Sequence, residues 1–153
     1  TALDTPENRR ARLGASGYTQ LVSAVIEGVA PTRESFTKYF EGRTPPSEAE
    51  EADALFYAVF TVAWGVIRSA LEAKGVYANE RTRCLDDFTR LCSEVVDPAP
   101  FKELFLAWEH WEQGTPSIEK SVEWCRRTAE AAKALSAALG DTGEFHGWPP
   151  KAI

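Results

Sequence analysis

Methionine is absent from all 153 residues, position 1 included, so the chain reads as a processed product or as one whose start has been removed. No signal-peptide or transit segment is visible. Cysteine occurs three times, too sparsely for a disulfide scaffold and in an odd number that a fully paired secreted protein does not have. Cys84 and Cys92 stand eight residues apart on one predicted helix, about 12 Å along its axis, and cannot bond to each other. The expected setting is therefore intracellular and reducing, with the cytoplasm foremost and an organelle reached by import and cleavage as the alternative. Strand signals are missing too: there is no sustained period-two alternation and no Asn-Gly or Asp-Gly hairpin turn. Positive charge is in deficit, 17 Lys and Arg against 23 Asp and Glu for a net charge of −6. That balance lacks the basic footprint of a nucleic-acid binder, so no nucleic-acid partner is expected.

What is present centres on Ala54 to Ile67, 14 residues between Asp53 and Arg68 without a charge. Apolar side chains point in nearly every helical direction, as in a helix surrounded by other helices. At about 1.5 Å per residue the run reaches roughly 21 Å, short of a bilayer core of about 30 Å, and no membrane span is expected. The reading is an all-α, single-domain bundle over 1–153, with five or six helices around a buried central helix at about 48–74. A polar N-terminal segment (1–16) and an irregular tail (141–153) flank it. The acidic start of the central helix, Glu48, Glu50, Glu51 and Asp53, suits the positive end of the helix dipole and a solvated surface; a metal site is the lesser reading.

Helix starts are well punctuated. Ser47-Glu48-Ala49-Glu50 has the spacing of a capping box. Thr5-Pro6, Asp97-Pro98 and Thr115-Pro116 each set a capping side chain before a proline that tolerates the first helical position. Tyr18, Leu21, Val22, Val25, Ile26 and Val29 follow helical spacing and predict an amphipathic helix ending near Gly28. A short helix is predicted at 33–41, with Phe36, Tyr39 and Phe40 on one face. From 79 to 96 a stripe of Cys84, Leu85, Phe88, Leu91, Cys92, Val95 and Val96 predicts another. Residues 98–113 form an aromatic helix. Ile118, Val122, Cys125, Ala129, Ala132, Ser136 and Leu139 recur at steps of four and three, a small-residue seam that lets a neighbour approach closely.

Chemistry-bearing residues are few. His110 has Glu103, Glu109 and Glu112 nearby, but the Glu-x-x-His spacing of a di-metal bundle is missing because Ala107 occupies the third position before it. His146 lies in the tail. Each cysteine sits on an apolar stripe, where a thiol behaves as a small core residue. No phosphate-cradling loop, nucleophile elbow or zinc spacing occurs, and neither a metal nor a cofactor is expected. Arg83-Cys84-Leu85-Asp86-Asp87 resembles the bilin-attachment segment of phycobiliproteins, but the rest of the chain does not follow that family. Trp64-Gly65 resembles part of the Bcl-2 family's Asn-Trp-Gly-Arg motif, with Ala63 and Val66 replacing its asparagine and arginine. Neither resemblance is adopted.

Three functional readings follow. The leading one is a non-enzymatic interaction or accessory protein that binds a protein partner, or itself, through Phe101, Phe105, Trp108, Trp111 and Trp148, since aromatics dominate interface hot spots. The alternative is a module for a hydrophobic small molecule held between helices by Tyr57, Thr61, Trp64 and Arg68. These four share a face of the central helix, with Gly65 beside them to admit a backbone or ligand and Arg68 as an anion contact. An enzyme using Cys84 or His110 is the third.

Overall fold

The computed structural model describes residues 14–28, 47–77 and 79–139, residues 14–20 by their backbone alone. The predicted helix at 33–41, Thr5-Pro6 and the tail with His146 and Trp148 lie outside them. Among the described residues there are five α-helices: α1 (Gly14–Glu27), α2 (Glu48–Ala73), α3 (Arg81–Cys92), α4 (Ala99–Glu109) and α5 (Ile118–Leu139), with a 3₁₀ turn at Trp111–Gln113 between the last two. Among the described residues there is no strand. The arrangement is an all-α bundle in which α2 packs against each of the other four helices.

Local chemistry explains why α2 starts and stops where it does. The Ser47 hydroxyl accepts the Glu50 N–H at 3.1 Å while the Glu50 carboxylate accepts the Ser47 N–H at 3.0 Å, a complete capping box. At the far end Gly75 takes φ +79°. Its N–H reaches the Glu72 carbonyl at 2.9 Å and the Val76 N–H reaches that of Leu71 at 2.8 Å, the paired bonds of a Schellman stop.

Between those caps Ala54, Leu55, Phe56, Ala58, Val59, Ala63, Val66, Ile67 and Ala70 are all fully buried. Removing one large side chain from such a helix, Phe56 to Ala for example, costs about 3–5 kcal/mol. The whole helix, with 26 residues and a mean hydropathy of 1.6 over its most apolar window, is long and apolar enough to cross a membrane. The uncharged run alone is too short for that. Within the protein, 67% of that window is buried, the pattern of a helix enclosed by neighbours.

The acidic start of α2 departs from the solvated surface expected of it. Glu48 is exposed, but Glu50, Glu51 and Asp53 are buried, Asp53 completely. A helix buried along most of its length has part of its first turns covered as well, and its inward carboxylates then need donors. Among the described residues no three of His, Cys, Asp and Glu stand together where they could hold a metal ion.

Two other elements are shorter than their patterns predict. α3 ends at Cys92, whose carbonyl accepts both the Val95 and Val96 N–H groups at 3.0 Å. The turn this makes leaves Val95 exposed, off the apolar stripe. α4 ends at Glu109, where the chain tightens into the 3₁₀ turn and swings Trp111 back into the core. The Asp97 carboxylate accepts the N–H of Ala99, the first residue of α4, at 3.0 Å, while Pro98 rather than Asp97 stands at the capping position. Thr115 does not cap α5: Ser117 does, accepting the Lys120 N–H at 3.1 Å.

α5 buries a face wider than the predicted seam. Cys125, Ala129, Ala132 and Leu139 are buried, and so are Ser121, Trp124, Thr128, Ala131 and Leu135 from the adjacent stripe. The small seam residues bring α1 close. The Cys125 thiol donates to the Val25 carbonyl at 3.6 Å, and a Cβ placed on Gly28 would stand 3.0 Å from that of Ala129.

Candidate functional site

Aromatic rings from α2 and α4 meet along one continuous seam. Phe60 and Trp108 lie stacked, centroids 3.9 Å apart and planes 7° from parallel. Phe105 approaches Phe60 at 5.1 Å and Trp64 at 5.9 Å. Trp111 meets Phe56 edge-on at 5.2 Å and Trp108 at 4.9 Å. Offset and edge-to-face pairs of this kind add about 0.5–1.5 kcal/mol each beyond their area burial, so the seam first of all holds α4 onto α2.

At its buried end the seam is tied down by a polar knot. The Trp111 indole N–H is shared between the Asp53 carboxylate at 3.2 Å and the Thr115 hydroxyl at 2.9 Å. Thr115 in turn donates to Asp53. The start of α2, the 3₁₀ turn and the approach to α5 thus meet at one point. A buried carboxylate held by such donors is a structural fastening rather than a reactive group.

At its open end the seam reaches the surface between α3 and α4. A cleft of about 150 Å³ has Phe60 and Trp108 as its floor, Leu85 and Phe105 in its walls and Leu106 at its lip. Leu106 is 57% exposed, one of three large apolar side chains left outside the fold among the described residues. Arg81 and Thr82 on α3 and Lys102 and Glu109 on α4 form the rim. Leu106 points outward because α4 turns its Phe101, Leu104 and Phe105 face toward the core, which places position 106 on the opposite side.

A broader groove of about 370 Å³ runs between α4 and α5, past Val95, Phe101, Glu103, Glu123, Arg127 and Glu130. Its charges already have partners. Lys120 pairs with Glu103 across the two helices and with Glu123 at 3.6 Å, and Arg127 pairs with Glu130 at 3.7 Å. Hydrogen bonding to Glu103 raises the Lys120 pKa. Its ammonium also stands 5.3 Å over the Trp124 ring.

The stripe Tyr57, Thr61, Trp64 and Arg68 does occupy one face of α2, and of the four only Arg68 borders one of the described clefts. Tyr57 is half-buried against Trp108 and Trp111 at 5.7 and 6.0 Å. The Thr61 hydroxyl donates to the Tyr57 carbonyl at 2.9 Å. Arg68 is exposed, with its guanidinium 5.8 Å over Trp64; the cleft it borders is shared with Leu71, Val76 and Tyr77. Gly65 brings no backbone close: among the described residues a Cβ there would meet nothing within 4 Å.

Of the residues read as a partner surface, Phe101, Phe105 and Trp111 are buried, Trp108 is half-buried at the cleft floor, and Trp148 lies outside the described residues. Leu106, Arg81 and Lys102 are the surface residues that sequence reasoning missed. The signal was there for Leu106, a leucine one position off the apolar stripe of α4.

Cys84 is fully buried and its pKa is raised by desolvation, against the opposing pull of Arg68. Cys92 is buried with its pKa raised in the same way. Burial pushes the Cys125 thiol to about 11. Such thiols are poor nucleophiles. His110 is exposed at the end of α4, where its backbone N–H closes the helix on Leu106 and Ala107, and it lines none of these clefts.

No protein-family model, curated protein or solved structure matches this chain.

Proposed function

We propose that the protein is a non-enzymatic helical docking module that engages a protein partner through the face shared by α3 and α4. The observation that carries this reading is Leu106, exposed beside a cleft whose floor is the Phe60–Trp108 stack. A bulky exposed apolar side chain next to a rigid ring-floored recess is the arrangement of an interface anchor and its pocket. The recess, at about 150 Å³, is well below the roughly 300–1,000 Å³ of sites that enclose a small molecule; it suits one side chain of a partner. The small-molecule alternative at Tyr57, Thr61, Trp64 and Arg68 draws no support from the described clefts, since Arg68 alone of the four borders one. An enzyme built on Cys84 would need a thiol that solvent and substrate could reach, and Cys84 is enclosed.

Native mass spectrometry of the chain isolated from its own cells, as wild type and as Leu106→Glu, tests the proposal. The expected result is a wild-type complex with a second polypeptide, or with another copy, that the variant lacks while both retain the same helical content. A bare monomer, or a complex indifferent to Leu106→Glu, overturns it. A retained small-molecule mass in its place favours the alternative.

A further inference from the structure

Two cations border the cleft from different helices, Arg81 at the start of α3 and Lys102 near the start of α4, both exposed. Neither takes part in an ion pair among the described residues, whereas Lys120 and Arg127 beside the larger groove are engaged by Glu103, Glu123 and Glu130. An apolar recess with a lip at Leu106 therefore lies beside two cations that form no ion pair among the described residues, on a chain whose net charge is −6. Resting on the docking reading above, we infer that the occupant of this cleft is an acidic segment of another protein. It inserts one bulky aliphatic or aromatic side chain onto the Phe60–Trp108 floor and sets carboxylates on either side of it, against Arg81 and Lys102.

The geometry fixes polarity as well. Glu109 stands on the same rim and repels a carboxylate, so the acidic side chains of the partner lie toward Arg81 and Lys102 and away from Glu109. The cations discriminate more than they bind. Rim charges govern which partners are rejected, because like charges brought together there are strongly unfavourable, while the apolar anchor supplies most of the affinity. The overall negative charge opposes an acidic partner at long range, and salt screens both that repulsion and the local attraction. Charge reversal, rather than salt titration, is thus the discriminating readout.

A library of random 16-residue peptides displayed on phage and selected on the full chain provides the probe, with the enriched peptides then synthesised and their binding followed by fluorescence polarisation. The expected sequences carry Leu, Phe or Trp flanked by Asp or Glu. Their binding is expected to weaken roughly tenfold or more on Arg81→Glu or Lys102→Glu and to be lost on Leu106→Glu. All three positions are exposed, and circular dichroism checks that each variant keeps its helices. Apolar peptides without acidic flanks that still depend on Leu106 overturn the acidic partner and leave the docking face standing. Selection of no Leu106-dependent peptide overturns both. A dimer of the chain by itself that Arg81→Glu dissolves overturns the acidic partner in favour of a second copy.

Discussion

Asp53, fully buried on α2, accepts the indole N–H of Trp111 at 3.2 Å across 58 residues of sequence. Thr115 joins the same carboxylate and also receives the indole N–H. Because these three groups share hydrogen bonds, removing one takes a bond from each of the other two. Trp111→Phe keeps a ring against Phe56 but deprives Asp53 of a donor, and should cost about 1–3 kcal/mol. Thr115→Val should cost about 1–2 kcal/mol. Since both act on one carboxylate, the double variant should lose less than the two together, with a coupling of about 0.5 kcal/mol or more. Urea unfolding of the four proteins measures this, and strictly additive losses would show that the three groups do not act as a unit.

That knot marks the boundary of what could be read without coordinates. The capping box of Ser47 and Glu50 was legible because it is a local, three-residue relationship. The central position of α2 was legible because fourteen uncharged residues at helical spacing admit no exposed face. Thr115, by contrast, has the local credentials of a helix cap and is used elsewhere because Asp53 needs a donor inside the core. The aromatics of α4 show the same limit. Trp108 and Trp111 are three residues apart, as neighbours on one helix face would be. The helix ends between them, so Trp111 is buried while Trp108 floors an open cleft. Periodicity identifies which residues are apolar at helical spacing and is silent on where the helix stops. The rim cations were illegible for another reason: Arg81 and Lys102 lie on different helices, and only the packing of α3 and α4 onto α2 brings them to one cleft.

Three glycines separate backbone strain from close contact. Gly28 and Gly75 both take a positive φ, +74° and +79°, but a Cβ at Gly28 would stand 3.0 Å from that of Ala129, while at Gly75 it would meet nothing described within 4 Å. Gly75→Ala should therefore lose about 1 kcal/mol from conformation alone. Gly28→Ala should lose more, and Ala129→Gly in the same chain should restore part of the excess. Gly65, inside α2 with no described atom within 4 Å of a Cβ, should gain up to about 1 kcal/mol on substitution by Ala. Thermal unfolding of the three variants gives the order. A Gly65→Ala variant less stable than wild type would contradict the open space there.

Stability should fall in alkali, with a sign set by the thiols. All three cysteines are buried thiols outside any disulfide, and desolvation raises each above the ordinary thiol value of 9.0, Cys125 to about 11. Folding therefore holds the neutral thiols. That contribution is fully present below pH 9, where folded and unfolded chains bind the same protons. It is lost as pH rises from 9 through about 11, where the unfolded chain gives up its thiol protons first. Urea midpoints measured across pH 8 to 11 should decline, and Cys125→Ala should flatten part of the decline while lowering the plateau. A thiol reagent should label the native protein slowly and the unfolded protein three times over. Rapid native labelling of any one cysteine would place that thiol at the surface.

Leu106 and Phe60 touch the same cleft with opposite consequences for the fold. Leu106 is 57% exposed, so Leu106→Glu removes apolar surface that the fold does not bury and should change stability by no more than about 0.5 kcal/mol. Phe60 is 5% exposed and stacks on Trp108 at 3.9 Å; Phe60→Ala should cost about 3–5 kcal/mol and free the indole it packs on. Tryptophan fluorescence separates the two, since Phe60→Ala exposes Trp108 and should shift emission to the red, while Leu106→Glu should leave the spectrum near that of wild type. Binding of the proposed partner should be lost in both, by removal of the lip in one and of the floor in the other. A Leu106→Glu protein that is as destabilised as Phe60→Ala would mean that Leu106 belongs to the core rather than to the docking face.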